Sequence, residues 1–133
     1  MSEKNSSPIF NHVALHVSDL QKSTRFYHEI LGLPIVVAPF AEGRHCWLSM
    51  GERTTLHLIM DADQQKEKHK LHHFCLSVPD IHSAIAILQQ HHIPFEDWHG
   101  LPNKIFIRRD GVLQIYFTDP DGYWVEINND WPF

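Results

Sequence analysis

His12-Val-Ala-Leu-His-Val-Ser-Asp-Leu20 is repeated, with substitutions, as His73-Phe-Cys-Leu-Ser-Val-Pro-Asp-Ile81, so that Leu15 matches Leu76, Val17 matches Val78 and Asp19 matches Asp80. A histidine opens each copy. Later in each half a second side chain able to bind a metal interrupts an apolar strand: His57 in Thr54-Thr-Leu-His-Leu-Ile59, and Glu126 in Tyr123-Trp-Val-Glu-Ile-Asn128. Four such side chains at matched positions of two repeats imply one shared site.

Within the first copy, Val13, Leu15 and Val17 fall on one face of a strand and His12, Ala14 and His16 on the other. Ser18-Asp19 then offers a helix N-cap, and Leu20, Tyr27, Ile30 and Leu31 recur at helical spacing until Gly32. Strand-like stretches follow at Ile35 to Pro39, His45 to Met50 and Thr54 to Met60, with a hairpin turn at Met50-Gly-Glu-Arg53. Asp61 to Lys70 reads as a charged linker. The second half repeats the plan: Pro79-Asp80 starts a helix through Ile81, Ala84, Ile85 and Leu88, ended by His92-Ile-Pro94. Strands are expected near Phe95 to Trp98, Val112 to Thr118 and Tyr123 to Asn128, with Asp119-Pro-Asp-Gly122 as a turn. The pattern predicts an α+β fold: two tandem βαβββ modules, about residues 9–62 and 71–130 of a single domain over 1–133, forming a curled, cleft-bearing mixed sheet with helices on its outer face.

The 133 residues, 43% hydrophobic, suffice for one compact core. A formal charge of -5 without a basic run argues against nucleic acid or an anionic membrane as partner and leaves small molecules. The polar N-terminus lacks the apolar segment of a secretory signal. The longest apolar stretch, around Leu33 to Ala41, holds two prolines and falls far short of the roughly 18 residues that span a membrane. Cys46 and Cys75 form neither a C-x-x-C pair nor a disulfide framework. A cytoplasmic protein is expected.

On the alternation of the strands, His73 shares a face with Cys75 and Ser77, and Glu126 with Trp124 and Asn128. In both modules this is the face that helix burial leaves free. If the sheets curl, His12, His57, His73 and Glu126 converge, and neutral imidazoles with a carboxylate suit zinc, nickel, iron or manganese.

The opening Asn11-His-Val-Ala-Leu-His-Val-Ser-Asp-Leu20 with Phe26-Tyr27 and Leu31-Gly-Leu33, the second opening from His73 to Asp80, and above all Asp119-Pro-Asp-Gly-Tyr-Trp-Val-Glu126 resemble the vicinal oxygen chelate superfamily, the glyoxalase I and bleomycin-resistance group. The resemblance covers nearly the whole chain. It implies a divalent metal, zinc or nickel first and iron or manganese next, on His12, His57, His73 and Glu126, with Glu126 as the catalytic carboxylate. Two positions depart from the glyoxalase I pattern: His57 stands where that enzyme usually has glutamate, and His16 where an arginine commonly anchors glutathione. Candidate substrate contacts are His16, Cys75, Lys104, Arg108, Arg109 and Trp124. Cys75 is also expected as a small buried thiol. Of the twelve histidines, His28, His82, His91, His92 and His99 read as solvated surface, and His72 points away from His73.

The expected activity is that of a metal-dependent lyase or isomerase acting on a small hydroxycarbonyl or hemithioacetal compound, in a homodimer with its metal near a seam between modules. His12, His73 and Glu126 alone would instead suit an iron(II) extradiol dioxygenase or a fosfomycin-type thiol transferase. A drug-binding protein of the bleomycin-resistance kind is the non-enzymatic alternative.

Overall fold

The computed structural model describes residues 6–37, 43–63 and 67–132. In the first module β1 (His12–Val17) leads into α1 (Leu20–Arg25), which continues as a π-helical turn over Phe26–Ile30. Next come β2 (Ile35–Val37), β3 (His45–Ser49) and β4 (Thr55–Met60). The second module runs β5 (His73–Ser77), α2 (Ile81–Gln90), β6 (Phe106–Ile107), β7 (Leu113–Thr118) and β8 (Trp124–Asn128). Each module forms its own four-stranded mixed sheet, in the orders β1-β4-β3-β2 and β5-β8-β7-β6. The first and last strands of each module pair in parallel, which requires the helix crossover between them.

Strand alternation decides what is buried. Leu15, Val17, Cys46, Leu48, Leu56 and Leu58 from the first sheet, and Ile115, Phe117, Val125 and Ile127 from the second, join one core with Phe26, Tyr27, Ile81 and Leu88 from the helices. Asp19 and Asp80 cap the two helices, accepting from the backbone N–H of Lys22 and His82. Ser83 also donates to Asp80, and these bonds hold the Asp80 carboxyl below its ordinary value.

One expected strand is absent. Phe95 to Trp98 forms only isolated bridges from Glu96 to Tyr116 and Pro102, and the edge strand is β6 instead. Local turn chemistry takes the backbone groups there: the Asp97 side chain accepts from Leu101 N at 2.9 Å and its carbonyl from Gly100 N at 3.1 Å. The strand expected from Ile35 ends at Val37, and residues 38–42 lie outside the described residues.

The Asp119-Pro-Asp-Gly122 turn is also the clasp between modules. Fully buried Tyr27 donates its hydroxyl to Asp119 Oδ2 at 2.7 Å, while Asp119 Oδ1 accepts from the N–H groups of Asp121 and Tyr123. Asp121 in turn accepts from Ser18 N and from Ser18 Oγ at 2.6 Å. Tyr123 donates to His16 O at 2.9 Å. Burial first, then the Asp119 charge, raises the Tyr27 phenol well above its ordinary value, so it remains a donor.

Tyr27→Phe is therefore expected to destabilise the protein by about 1–3 kcal/mol, because buried Asp119 loses a hydrogen-bond donor. Urea denaturation reads this directly, and a change below roughly 0.5 kcal/mol would show that the clasp rests on its other bonds.

Candidate metal centre

The register of the parallel strand pairs places the expected ligands. His12 lies opposite Thr55 and Ala14 opposite His57, so His12 and His57 are diagonal neighbours on one face of the first sheet. His73 lies opposite Trp124 and Cys75 opposite Glu126, which makes His73 and Glu126 diagonal neighbours with the same offset. The duplication seen in the sequence is thus a duplication of geometry.

In the second sheet the diagonal is closed. His73 Nε2 stands 2.9 Å from Glu126 Oε1. His73 Nδ1 lies 2.8 Å from Lys70 O, and a carbonyl only accepts, so Nδ1 carries the hydrogen and the neutral ring's lone pair is on Nε2. Glu126 Oε2 accepts from Gln114 Nε2 at 2.7 Å and from Asn128 Nδ2 at 3.4 Å. Asn128 is itself held by Ser77 Oγ at 2.8 Å. Glu126 is only 5% exposed, and Gln114 and Asn128 are buried with it. Two acceptors facing each other at 2.9 Å need a cation between them, whether a proton or a metal ion. With ligand bonds of about 2.0–2.2 Å the two atoms can share one ion. Imidazole nitrogen with carboxylate oxygen suits zinc, nickel, iron or manganese.

In the first sheet, His12 Nδ1 meets Asn11 Oδ1 at 2.7 Å, which leaves its Nε2 as the lone-pair nitrogen, as in His73. His57 stacks on Trp47 with ring centroids 3.7 Å apart, and its Nε2 lies 2.9 Å from His45 Nδ1. His45 lies opposite Ile59, two residues beyond His57, as Gln114 lies opposite Asn128, two residues beyond Glu126. The two residues therefore hold the same register position, and each bonds its module's second ligand. The His12 and His57 ring centroids are 6.2 Å apart.

Among the described residues of one chain, no group of three or more His, Cys, Asp or Glu side chains gathers closely enough to hold a metal ion. The four expected ligands stand as two pairs, one on each sheet. A cavity of about 740 Å³ follows the seam between modules along Phe10, Val13, Leu33, Phe74 and Trp131, and none of the four lines it.

The candidate substrate contacts are scattered. His16 pairs with Asp61 at 3.3 Å on the exposed face of the first sheet. Cys75, expected as a buried thiol, is exposed, because β5 is an edge strand and the cysteine lies on its ligand-bearing side. Its thiol is nevertheless pushed well above its ordinary value, by desolvation first and then by the neighbouring Glu126 carboxylate. Tyr116, opposite Glu126 in the register, is raised by the same two causes. Arg108 is committed to Asp110 at 2.7 Å and reaches Asp130 at 3.5 Å, a pairing that holds Asp110 at about 2. Lys104 and Arg109 are exposed. Trp124 packs near the Lys70 ammonium.

Strand alternation already places Asn128 on the Glu126 face, and the same pattern in β7 could have found Gln114, whereas Lys70 and His45 carry no such signal in the sequence.

A family model described as the Glyoxalase/Bleomycin resistance protein/Dioxygenase superfamily matches residues 9–127. A lactoylglutathione lyase of Pseudomonas putida is 28% identical, over 90% of this chain and 83% of that protein. The metallothiol transferase FosB of Staphylococcus epidermidis is 26% identical, over 89% of this chain and 79% of its own length. Among solved structures, a glyoxalase/dioxygenase from Nostoc punctiforme superposes with a TM-score of 0.75 at 23% identity, covering 99% of this chain and all of that one.

Burial first, and then the neighbouring histidines His45, His12 and His16, lower the pKa of His57. As the pH falls below about 6.5 the unfolded chain takes up this proton before the folded one does. The metal-free fold should therefore lose stability across the window between the ordinary value and the lowered one. NMR titration of the His57 ring tests this, and a midpoint at or above about 6.5 would contradict it.

Proposed function

The chain belongs to the glyoxalase/bleomycin resistance protein/dioxygenase superfamily, and from that premise we propose that it is a metal-dependent lyase or isomerase of glyoxalase I type, acting on a small hydroxycarbonyl or hemithioacetal compound. The observation that carries this reading is the His73 Nε2 and Glu126 Oε1 pair, 2.9 Å apart, with each partner's other polar atom already bonded. His12 and His57 complete the donor set. A divalent cation held there, zinc or nickel before iron or manganese, supplies Lewis-acid stabilisation of charge developing on adjacent substrate oxygens.

Glu126 has the second task. Gln114 fixes Oε2 and so keeps Oε1 turned toward the site. With the cation in place, the Glu126 carboxylate would take the proton from the hydroxyl-bearing carbon and return it to the neighbouring carbonyl carbon, while the hydroxyl proton passes to the former carbonyl oxygen, an isomerisation that needs no oxidant. His16 lacks the fixed fork of donors with which an arginine holds a carboxylate. Glutathione hemithioacetals are accordingly poor substrates in this reading.

Because each sheet carries one ligand pair, the complete site is assigned to a homodimer in which one protomer's first sheet faces its partner's second. Phe10, Val36 and Trp131, at 65%, 57% and 42% exposure, supply apolar surface for such a contact.

A specific contact favours a second reading. His57 Nε2 is engaged by His45. If that bond keeps His57 off the metal, His12, His73 and Glu126 form a two-histidine, one-carboxylate set, suited to a thiol transferase of FosB type or an iron(II) dioxygenase.

Metal analysis of untagged protein and the Glu126→Gln variant test the proposal together. The variant keeps size and one oxygen donor, so it should retain metal while losing about 10²–10⁴ in rate on hydroxycarbonyl substrates. Full turnover in Glu126→Gln would remove the carboxylate from proton transfer. Activity that instead follows iron(II) occupancy would select the second reading, and sedimentation showing only monomer would remove the shared site.

A further inference from the structure

Lys70 lies in the turn before β5, within a stretch whose charge reads as solvated linker. Its side chain is nevertheless only 18% exposed. The ammonium donates to Glu96 Oε2 at 2.6 Å, to Asp97 O at 2.7 Å and to Trp98 O at 3.2 Å, which accounts for all three of its hydrogens. It also stands 5.0 Å from the Tyr116 ring centroid, 5.2 Å from that of Trp124 and 5.6 Å from that of Trp98. Removing a lysine from water is costly, and a cage this complete offsets that cost. The cage joins the turn to β7, to β8 and to the loop carrying Glu96.

The same residue's carbonyl accepts the His73 Nδ1 hydrogen. Among the described residues the turn is also tied by the backbone bond from His72 N to His69 O at 2.9 Å and by the Lys68 ammonium 4.6 Å from the Tyr123 ring centroid, while the neighbouring Leu71 is 75% exposed. The caged ammonium thus ties to β7, β8 and the Glu96 loop the same residue whose carbonyl meets His73 Nδ1. The first module differs, since there the exposed Asn11 side chain bonds His12 from the adjacent position and the Asn11 carbonyl accepts from Thr55 N at 3.0 Å, with no lysine involved in either bond.

We propose that Lys70 is the positioning residue of the second half-site: its caged ammonium fixes its carbonyl, which holds His73 in the Nδ1–H tautomer and turns Nε2 toward Glu126. This rests on the reading of His73 as a metal ligand for its purpose, though not for its geometry. Outer bonds of this kind are worth about 10–100-fold in metal affinity.

The test uses the whole protein with ¹⁵N-labelled histidine. In metal-free wild type His73 should show a hydrogen fixed on Nδ1, as its bond to Lys70 O requires. Lys70→Met keeps the aliphatic stem and removes the ammonium. It should give a mixed His73 tautomer and a zinc or nickel dissociation constant about 10–100-fold weaker, while Lys68→Met in the same segment leaves both unchanged. If Lys70→Met fails to fold, Glu96→Gln, which weakens the cage but keeps an acceptor, should shift the tautomer in the same direction. A wild-type His73 with its hydrogen on Nε2 would overturn the proposal. So would a folded Lys70→Met, or in its place a folded Glu96→Gln, with the wild-type tautomer. Wild type that takes up no metal while its tautomer behaves as stated would instead overturn the functional reading and leave this one standing.

Discussion

Parallel pairing between the first and last strand of each module is the constraint from which the site follows. In such a pair the residues two positions apart across the ladder share a face and come within side-chain reach. His12 with His57, and His73 with Glu126, occupy that diagonal in the same register. Slipping either pair by one residue would turn its polar side chains into the core and its leucines, isoleucines and valines into solvent. The burial of Leu15, Val17, Leu56 and Leu58, and of Val125 and Ile127, therefore holds the two candidate ligand pairs in register.

The two modules use this frame differently. In the second sheet the strands β7 and β8 bury the polar face that carries Glu126: Glu126, Gln114, Asn128 and Tyr116 are buried there, and Glu126 accepts from both Gln114 and Asn128. In the first sheet His12 and His16 are exposed, and His45 and His57 are half-buried. A buried amide and carboxylate network has fixed geometry, because breaking any one bond strands the remainder. One candidate ligand pair is thus held in fixed geometry, whereas the other is exposed.

Most of this organisation was legible in the sequence, because the repeat and the strict alternation act locally. The element order, both aspartate caps, the Asp119-Pro-Asp-Gly122 turn and the faces carrying the four candidate ligands all follow from residues within a few positions of one another. The failures have a common physical origin in contacts distant along the chain or in competing turn chemistry. Phe95 to Trp98 has a strand's composition, but Asp97 folds it into a turn. Lys70 looks like solvent-facing charge until Glu96 and three aromatic rings, all distant in sequence, surround it. Cys75 reads as a core thiol unless β5 is known to be an edge strand. The His45 contact with His57 depends on hairpin register, which composition does not encode.

The clasp formed by the Asp119-Pro-Asp-Gly122 turn also has a temporal side. Ser18 and Asp121 are 103 positions apart, and Tyr27 and Asp119 are 92 apart. Contacts so distant in sequence slow folding, because a large loop must close before the bond forms. During synthesis the first helix emerges long before the turn that secures it, with Phe26 and Tyr27 facing a core still half absent. The first module thus lacks its clasp until the last tenth of the chain arrives, and apolar surface left open in that interval is where aggregation competes with folding.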